Sequence, residues 1–253
     1  TKGPAKDKMK ADIDALTAQI AANHAETAAA DVEINKAFEA YDKAINFDVE
    51  DLKLENEKAM YLNAYRRNVD AGDTYSKLLT KGHDSEADYI LAGKSYYMGK
   101  AFDKAENIFT QMVAKYPNNL DGYLWLANNA SSQDPDSKLG LAKPKFEDLL
   151  KRAAADSVKN QNVMVDALRY LGYNSLTNGK FDDAKAYYTR LLNLANTNDV
   201  KSKAYTSLAQ MYFDMADYPK AIEYTNKVLE INPNDETAKN YIKYVNSVIA
   251  SSG

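Results

Sequence analysis

Apolar side chains recur along this chain at steps of three and four, the spacing that lays one stripe along a helix, and the stripes come in pairs. Tyr89, Ala92, Gly93 and Tyr96 mark one helix, and Ala105, Phe109 and Met112 mark its successor. Leu168, Leu171 and Gly172 precede Phe181, Ala184, Tyr188 and Leu191 in the same way. Tyr123, Leu126 and Ala127 precede Ala142, Phe146 and Leu149, and Tyr205, Leu208, Ala209 and Tyr212 precede Ala221, Val228 and Leu229. Turns such as Met98-Gly99-Lys100 and Asn178-Gly179-Lys180 separate the two members of a pair, and a Gly there lets the chain reverse. The pattern predicts helical hairpins one after another.

The hairpins keep a register. Ala37, Ala71, Ala105, Ala142, Ala184 and Ala221 open the second helices at steps of 34, 34, 37, 42 and 37 residues. Four residues after each stand Tyr41, Tyr75, Phe109, Phe146, Tyr188 and Thr225; seven after stand Ala44, Leu78, Met112, Leu149, Leu191 and Val228. On the first helices the matching position is always tiny: Ala25, Ala59, Gly93, Ala127, Gly172 and Ala209. Paired helices cross closely only where neither carries a bulky group, which gives that smallness a steric cause. Two departures stand out. Thr225 breaks the aromatic slot, with Tyr224 one residue early, and Ser175 replaces a tyrosine in the copy starting at Val165.

The segment Glu86 to Asn119 carries these residues at the spacing W-x2-L-G-x2-Y, A-x3-F and a closing Pro within 34 residues. In that spacing the chain resembles the tetratricopeptide-repeat family. The resemblance implies an all-α fold, a right-handed superhelical solenoid of antiparallel helix pairs. It divides the chain into an N-terminal helical extension over 1–17, two degenerate repeats over 18–85, four clearer repeats over 86–119, 120–160, 165–198 and 202–235, and a capping helix over 236–250. A lone hairpin cannot bury its stripe, so neighbours must stack, and one curved ribbon is expected through Ala71 to Ala221. Pro117 and Pro233 fit helix exits and Pro144 a first turn. The cap would bury Ala238, Tyr241, Ile242, Val245 and Ile249 and expose Lys239, Asn240, Lys243 and Asn246. Met9, Ile13, Leu16 and Ile20 suggest the long first helix of a degenerate repeat, with a homodimer seam as the alternative.

Composition narrows the partners. With 10 Gly and 6 Pro in 253 residues and 45% hydrophobic residues, helix is favoured over a mostly β or disordered chain. The net charge of -4, with both signs interspersed, offers no basic face for a phosphate backbone, so nucleic acid is not expected. No apolar run approaches the roughly 18 residues of a membrane span. The lack of Cys suits either a reducing cytoplasm or a periplasm. Because the first residue is Thr1 and not Met, a removed leader is allowed for, and the periplasm or cell envelope of a bacterium is favoured over the cytoplasm.

Catalytic and metal motifs fail on inspection. His24 and His83 have no second histidine at ligand spacing and are read as structural. Gly93-Lys94-Ser95 and Gly99-Lys100 fall short of a phosphate loop. Asp134-Pro135-Asp136 hints at calcium, but Lys138 and Gly140 spoil the pattern, and a solvated surface loop is expected over Gln133 to Gly140. Asn129-Ala130-Ser131 is a formal glycosylation sequon, discounted because it falls at a helix end. No enzyme, cofactor or metal is expected.

The family resemblance implies that first helices line a concave groove and contact ligand from positions 2, 5, 6, 9, 12 and 13 of each repeat. Those positions include Ile90, Leu91, Lys94 and Tyr97; Leu124, Trp125 and Asn128; Arg169, Tyr170 and Tyr173; and Gln210 and Phe213. The partner-binding candidates are Lys94, Tyr97, Trp125, Asn128, Arg169, Tyr170, Tyr173 and Phe213, with Trp, Tyr and Arg as the natural anchors. Some of these rings instead fill space between repeats. The family's clamp for a terminal carboxylate is missing, because its places hold Ile90, Lys94, Trp125, Asp166 and Tyr170. The expected function is a scaffold for a protein or peptide partner. The alternatives are glycan capture at a cell envelope and self-assembly as a structural component.

Overall fold

The structure, a computed structural model, describes residues 31, 32, 34–46, 52–195 and 197–252. Among them every regular element is helical. The Met9 to Ile20 seam, His24 and Ala25 lie outside the described residues. The chain forms two compact units that divide between His83 and Asp84. The repeat stack is continuous within the second unit, Asp84–Gly253. The division falls just after Gly82, which takes φ +97°.

In the first unit, a helical stretch over 34–46 is followed by α1 (Leu52–Ala64) and α2 (Asn68–Thr80). Ala59 and Leu62 of α1 are buried together with Ala71, Tyr75 and Leu78 of α2. Glu55 is buried as well, and Lys81 Nζ answers it at 2.8 Å.

The second unit is the stack α3 (Glu86–Met98), α4 (Phe102–Lys115), α5 (Leu120–Gln133), α6 (Lys143–Ala153), α7 (Gln161–Thr177), α8 (Phe181–Leu194), α9 (Asn198–Asp214), α10 (Tyr218–Ile231) and α11 (Glu236–Ser252), with a 3-10 turn at Ala154–Asp156. Each helix packs on the helices before and after it, and the successive first helices α3 and α5, and α7 and α9, also touch. Local chemistry sets the starts. Ser85 and Asp88 form a reciprocal capping box ahead of α3, Thr197 caps α9 and Asp217 caps α10, while Pro144 sits in the first turn of α6. Tyr116 reaches back from the end of α4, its hydroxyl donating to the Asp84 carbonyl at 2.8 Å.

The close crossings are where the small residues stand. A Cβ added to Gly93 would come within 3.0 Å of the Phe109 ring, and one added to Gly172 would do the same to Tyr188. Around them Ala127, Phe146, Leu149, Leu168, Leu171, Ala184, Leu191, Leu208 and Ala221 join one buried cluster running from α5 to α10.

The hairpin turns share a backbone form that the glycines did not reveal. Arg66, Lys100, Ser137, Gly179 and Ala216 all take a left-handed φ of 54° to 70°, and each lies five residues before the alanine that marks its second helix. In four of them two bonds close the turn, as in Ala101 N–H to Tyr96 O at 2.9 Å and Lys100 N–H to Tyr97 O at 3.0 Å. Gly99 therefore keeps an ordinary φ of -77°, and the residue that reverses the chain is Lys100.

The loop from Gln133 to Gly140 is not solvated throughout, as its sequence suggests. Asp134 is only 2% exposed and Ser137 1%. The Asp134 carboxylate accepts the backbone N–H groups of Leu139 at 3.1 Å, Gly140 at 2.7 Å and Leu141 at 3.3 Å, so its oxygens fold the loop on itself. The Ser137 carbonyl then accepts from the side-chain amides of Asn174 at 3.2 Å and Asn178 at 3.1 Å on α7. Hydrogen bonds to its own loop offset the burial of this side chain.

Candidate functional site

Helix α7 carries Asp166, Arg169, Tyr170 and Tyr173 at steps of three, one and three, which sets them on one face. Asn128 and Ser131 from α5 stand on one side of that face and Ser207 from α9 on the other, with Phe146 and Tyr188 of the second helices behind; together they line a cavity of about 460 Å3. Tyr170 is held in place by stacking on Phe146, ring centres 4.2 Å apart, and its hydroxyl accepts from Ser137 Oγ at 3.4 Å. Tyr173, 45% exposed, turns its hydroxyl toward the Pro135 carbonyl at 3.4 Å. The folded loop described above thus braces both tyrosines.

The cavity is polar as well as aromatic. Among the described residues no carboxylate lies within ion-pair distance of Arg169. Crowding by the surrounding atoms pushes the Asp166 carboxyl above its ordinary range, although Arg169 and Lys203 pull it down. Burial also raises the Tyr170 hydroxyl, and pushes that of Tyr188 up to about 12. The site therefore presents a guanidinium, a carboxyl, hydroxyls and an amide over an aromatic floor.

Of the eight candidates chosen from sequence, Asn128, Arg169, Tyr170 and Tyr173 meet in this cavity. Lys94, Tyr97 and Trp125 form a second group. Trp125 stacks on Phe109 at 5.8 Å, meets Tyr97 edge-on at 5.4 Å and lies 5.1 Å from Lys94 Nζ, so its ring is largely engaged between neighbouring hairpins. Phe213 falls in a third cluster with Tyr218, Tyr241 and Tyr244, the last two on α11. The sequence reading passed over Ser131, Asp166 and Ser207, although they occupy positions 12, 2 and 6 of their repeats, because small polar residues and a surface acid carry no anchor signal. It also passed over Tyr244, 53% exposed, by treating α11 as a lid alone.

Other residues singled out in the sequence have these surroundings. Gly93 and Ser95 lie buried inside α3, where Ser95 Oγ donates to the Leu91 carbonyl at 2.7 Å. Asn129 is 1% exposed and spends its amide on the Phe102 carbonyl at 3.0 Å, which leaves the sequon nothing to offer. His83 is exposed in the turn between the two units. Among the described residues no group of three or more His, Asp or Glu side chains is placed to hold a metal ion, and no helix is long and apolar enough to cross a membrane.

Family models of the tetratricopeptide repeat match residues 202–235 and 86–119. No curated protein matches the sequence. Among solved structures, the C-terminal part of a TPR repeat-containing protein from Cytophaga hutchinsonii is 28% identical, with a TM-score of 0.58; the alignment covers 68% of this chain and 66% of that one, just under two thirds of its length. YrrB, described as a TPR protein with an unusual peptide-binding site, is 20% identical over 81% of this chain and 99% of its own, with a TM-score of 0.53. The apo form of the quorum sensor NprR from B. thuringiensis is 15% identical over 85% of this chain and 65% of its own, with a TM-score of 0.58. The last two show the fold alone. From the hairpin register, the small-on-ring crossings and these matches together, the chain carries tetratricopeptide repeats at 86–119 and 202–235 within a helical-repeat fold of the tetratricopeptide type.

Proposed function

We propose that the cavity built by α5, α7 and α9 holds an extended segment of a protein partner, and that this is binding without catalysis. The repeat architecture is that of a protein-interaction scaffold. The observation that carries the finer reading is Arg169, a guanidinium with no ion-pair partner among the described residues, set between braced tyrosines in a cavity of about 460 Å3. A guanidinium offers five fixed donors to a carboxylate or to backbone carbonyls, and tyrosines add contact area at little entropic cost.

The test is a random-peptide display library panned against the full chain, with Arg169→Ala and Tyr173→Ala variants read in parallel. Enriched peptides should lose tenfold or more in affinity on each variant, the effect of removing an interface anchor worth about 1.4 kcal/mol or more. Peptides that enrich equally on the variants would move the site elsewhere. Because Tyr173 leaves nearly half its surface open, a sugar face stacked on it is the second reading, and a glycan array separates the two.

A further inference from the structure

In four hairpins the second helix sets a ring four residues after its marker alanine, and those rings, Tyr75, Phe109, Phe146 and Tyr188, are all buried. The fifth hairpin keeps the small partner, Ala209, but has Thr225 where the ring belongs. Thr225 is 3% exposed and turns its hydroxyl inward to the Ala221 carbonyl at 2.7 Å. Tyr224, one residue early, does not fill the gap, since it lies flat against Tyr212 with ring centres 5.4 Å apart. What remains is a mostly apolar cavity of about 140 Å3, lined by Ala209, Thr225, Val228, Ala238 and Tyr241 among others. A cavity of this size admits one benzene-sized ring, as apolar cavities of about 150 Å3 do.

The two cavities meet on α9. Thr206 and Gln210 also line this cavity, and both are exposed on α9, one residue before and three residues after the Ser207 that lines the larger cavity. We propose that the Thr225 cavity is a receptor for one aromatic side chain, phenylalanine or tyrosine, carried by the partner segment in the groove. The proposal rests on the groove reading and adds a requirement to it: the chain's own repeats show which shape fits, and the fifth hairpin leaves that shape for the partner to supply.

The experiment uses toluene as the free ring, titrated into the full chain while methyl NMR follows Ala209, Val228 and Ala238. These methyls should shift saturably in the wild type and in Arg169→Ala, and stay still in Thr225→Phe, whose own ring occupies the space. Thr225→Leu serves as a smaller plug if the phenylalanine variant fails to fold. Peptides selected on the wild type should carry a Phe or Tyr and lose tenfold or more in affinity on the plugged variant. No saturable shift up to the solubility of toluene overturns the proposal, as does an equal shift in the plugged chain. Selected peptides that bind the plugged chain unchanged overturn it too. In each of these cases the groove still stands or falls by the Arg169→Ala panning.

Discussion

Gly93 and Gly172 leave no room for a side chain, because an added Cβ would press into Phe109 or Tyr188. Replacing Gly93 by Val should lower stability by about 1 to 3 kcal/mol, as overpacking does, measured by chemical denaturation. Alanine at the same site should cost less, since its better helix propensity returns up to about 1 kcal/mol and other repeats carry Ala59 and Ala127 in register. Tyr188 makes a second prediction through its raised pKa of about 12. An unfolded tyrosine loses its proton near pH 10 while the buried one keeps it, so the unfolded state gains as pH rises from about 10 to 12. That window should remove roughly 2 kcal/mol of stability, and Tyr188→Phe should flatten the loss when denaturation midpoints are compared across it. The small-and-ring pairs were visible in the sequence because sterics restricts those positions to a few residue types. Asp134 was not visible: an acid in a loop reads as solvated until the backbone folds three amides onto it.

At the scale of the element, one turn geometry closes hairpin after hairpin, but its left-handed residue is glycine only at Gly179. At Lys100 and Ala216 a side chain sits in a conformation that L-residues disfavour. Lys100→Gly and Ala216→Gly should each raise stability by about 0.5 to 1 kcal/mol after the added freedom of the unfolded chain is counted. Gly179→Ala should lower it by a similar amount; an added Cβ there meets nothing within 4 Å, so strain alone is at work. Thermal or urea midpoints of the three variants check the set. The sequence misled at this scale because a Gly one residue early, Gly99, looks like the reversal point. Hydrogen-bond closure, and not residue type, fixes which residue turns.

For the whole molecule, the repeat period was enough to state the fold class. Four of the eight proposed contact residues converge and the others do not, since position within a repeat says which way a side chain points but not which neighbours share its cavity. Stacked repeats couple mainly to their neighbours, so their stability resembles a chain of links. One link here carries an extra tie: Ser137, in the loop of one hairpin, takes hydrogen bonds from Asn174 and Asn178 of the next. Removing both amides with Asn174→Ala and Asn178→Ala should weaken that link by about 1 to 2 kcal/mol and speed amide exchange across α7 and α8 roughly tenfold, read by hydrogen-exchange mass spectrometry. The larger meaning of that loop is mechanical. Fraying that starts at the C-terminal helix would pass through α10 and α9 and then meet a latch, so the two hairpins that Ser137 ties would let go together, and the part of the cavity that α5 and α7 line would persist while the end of the array unravels.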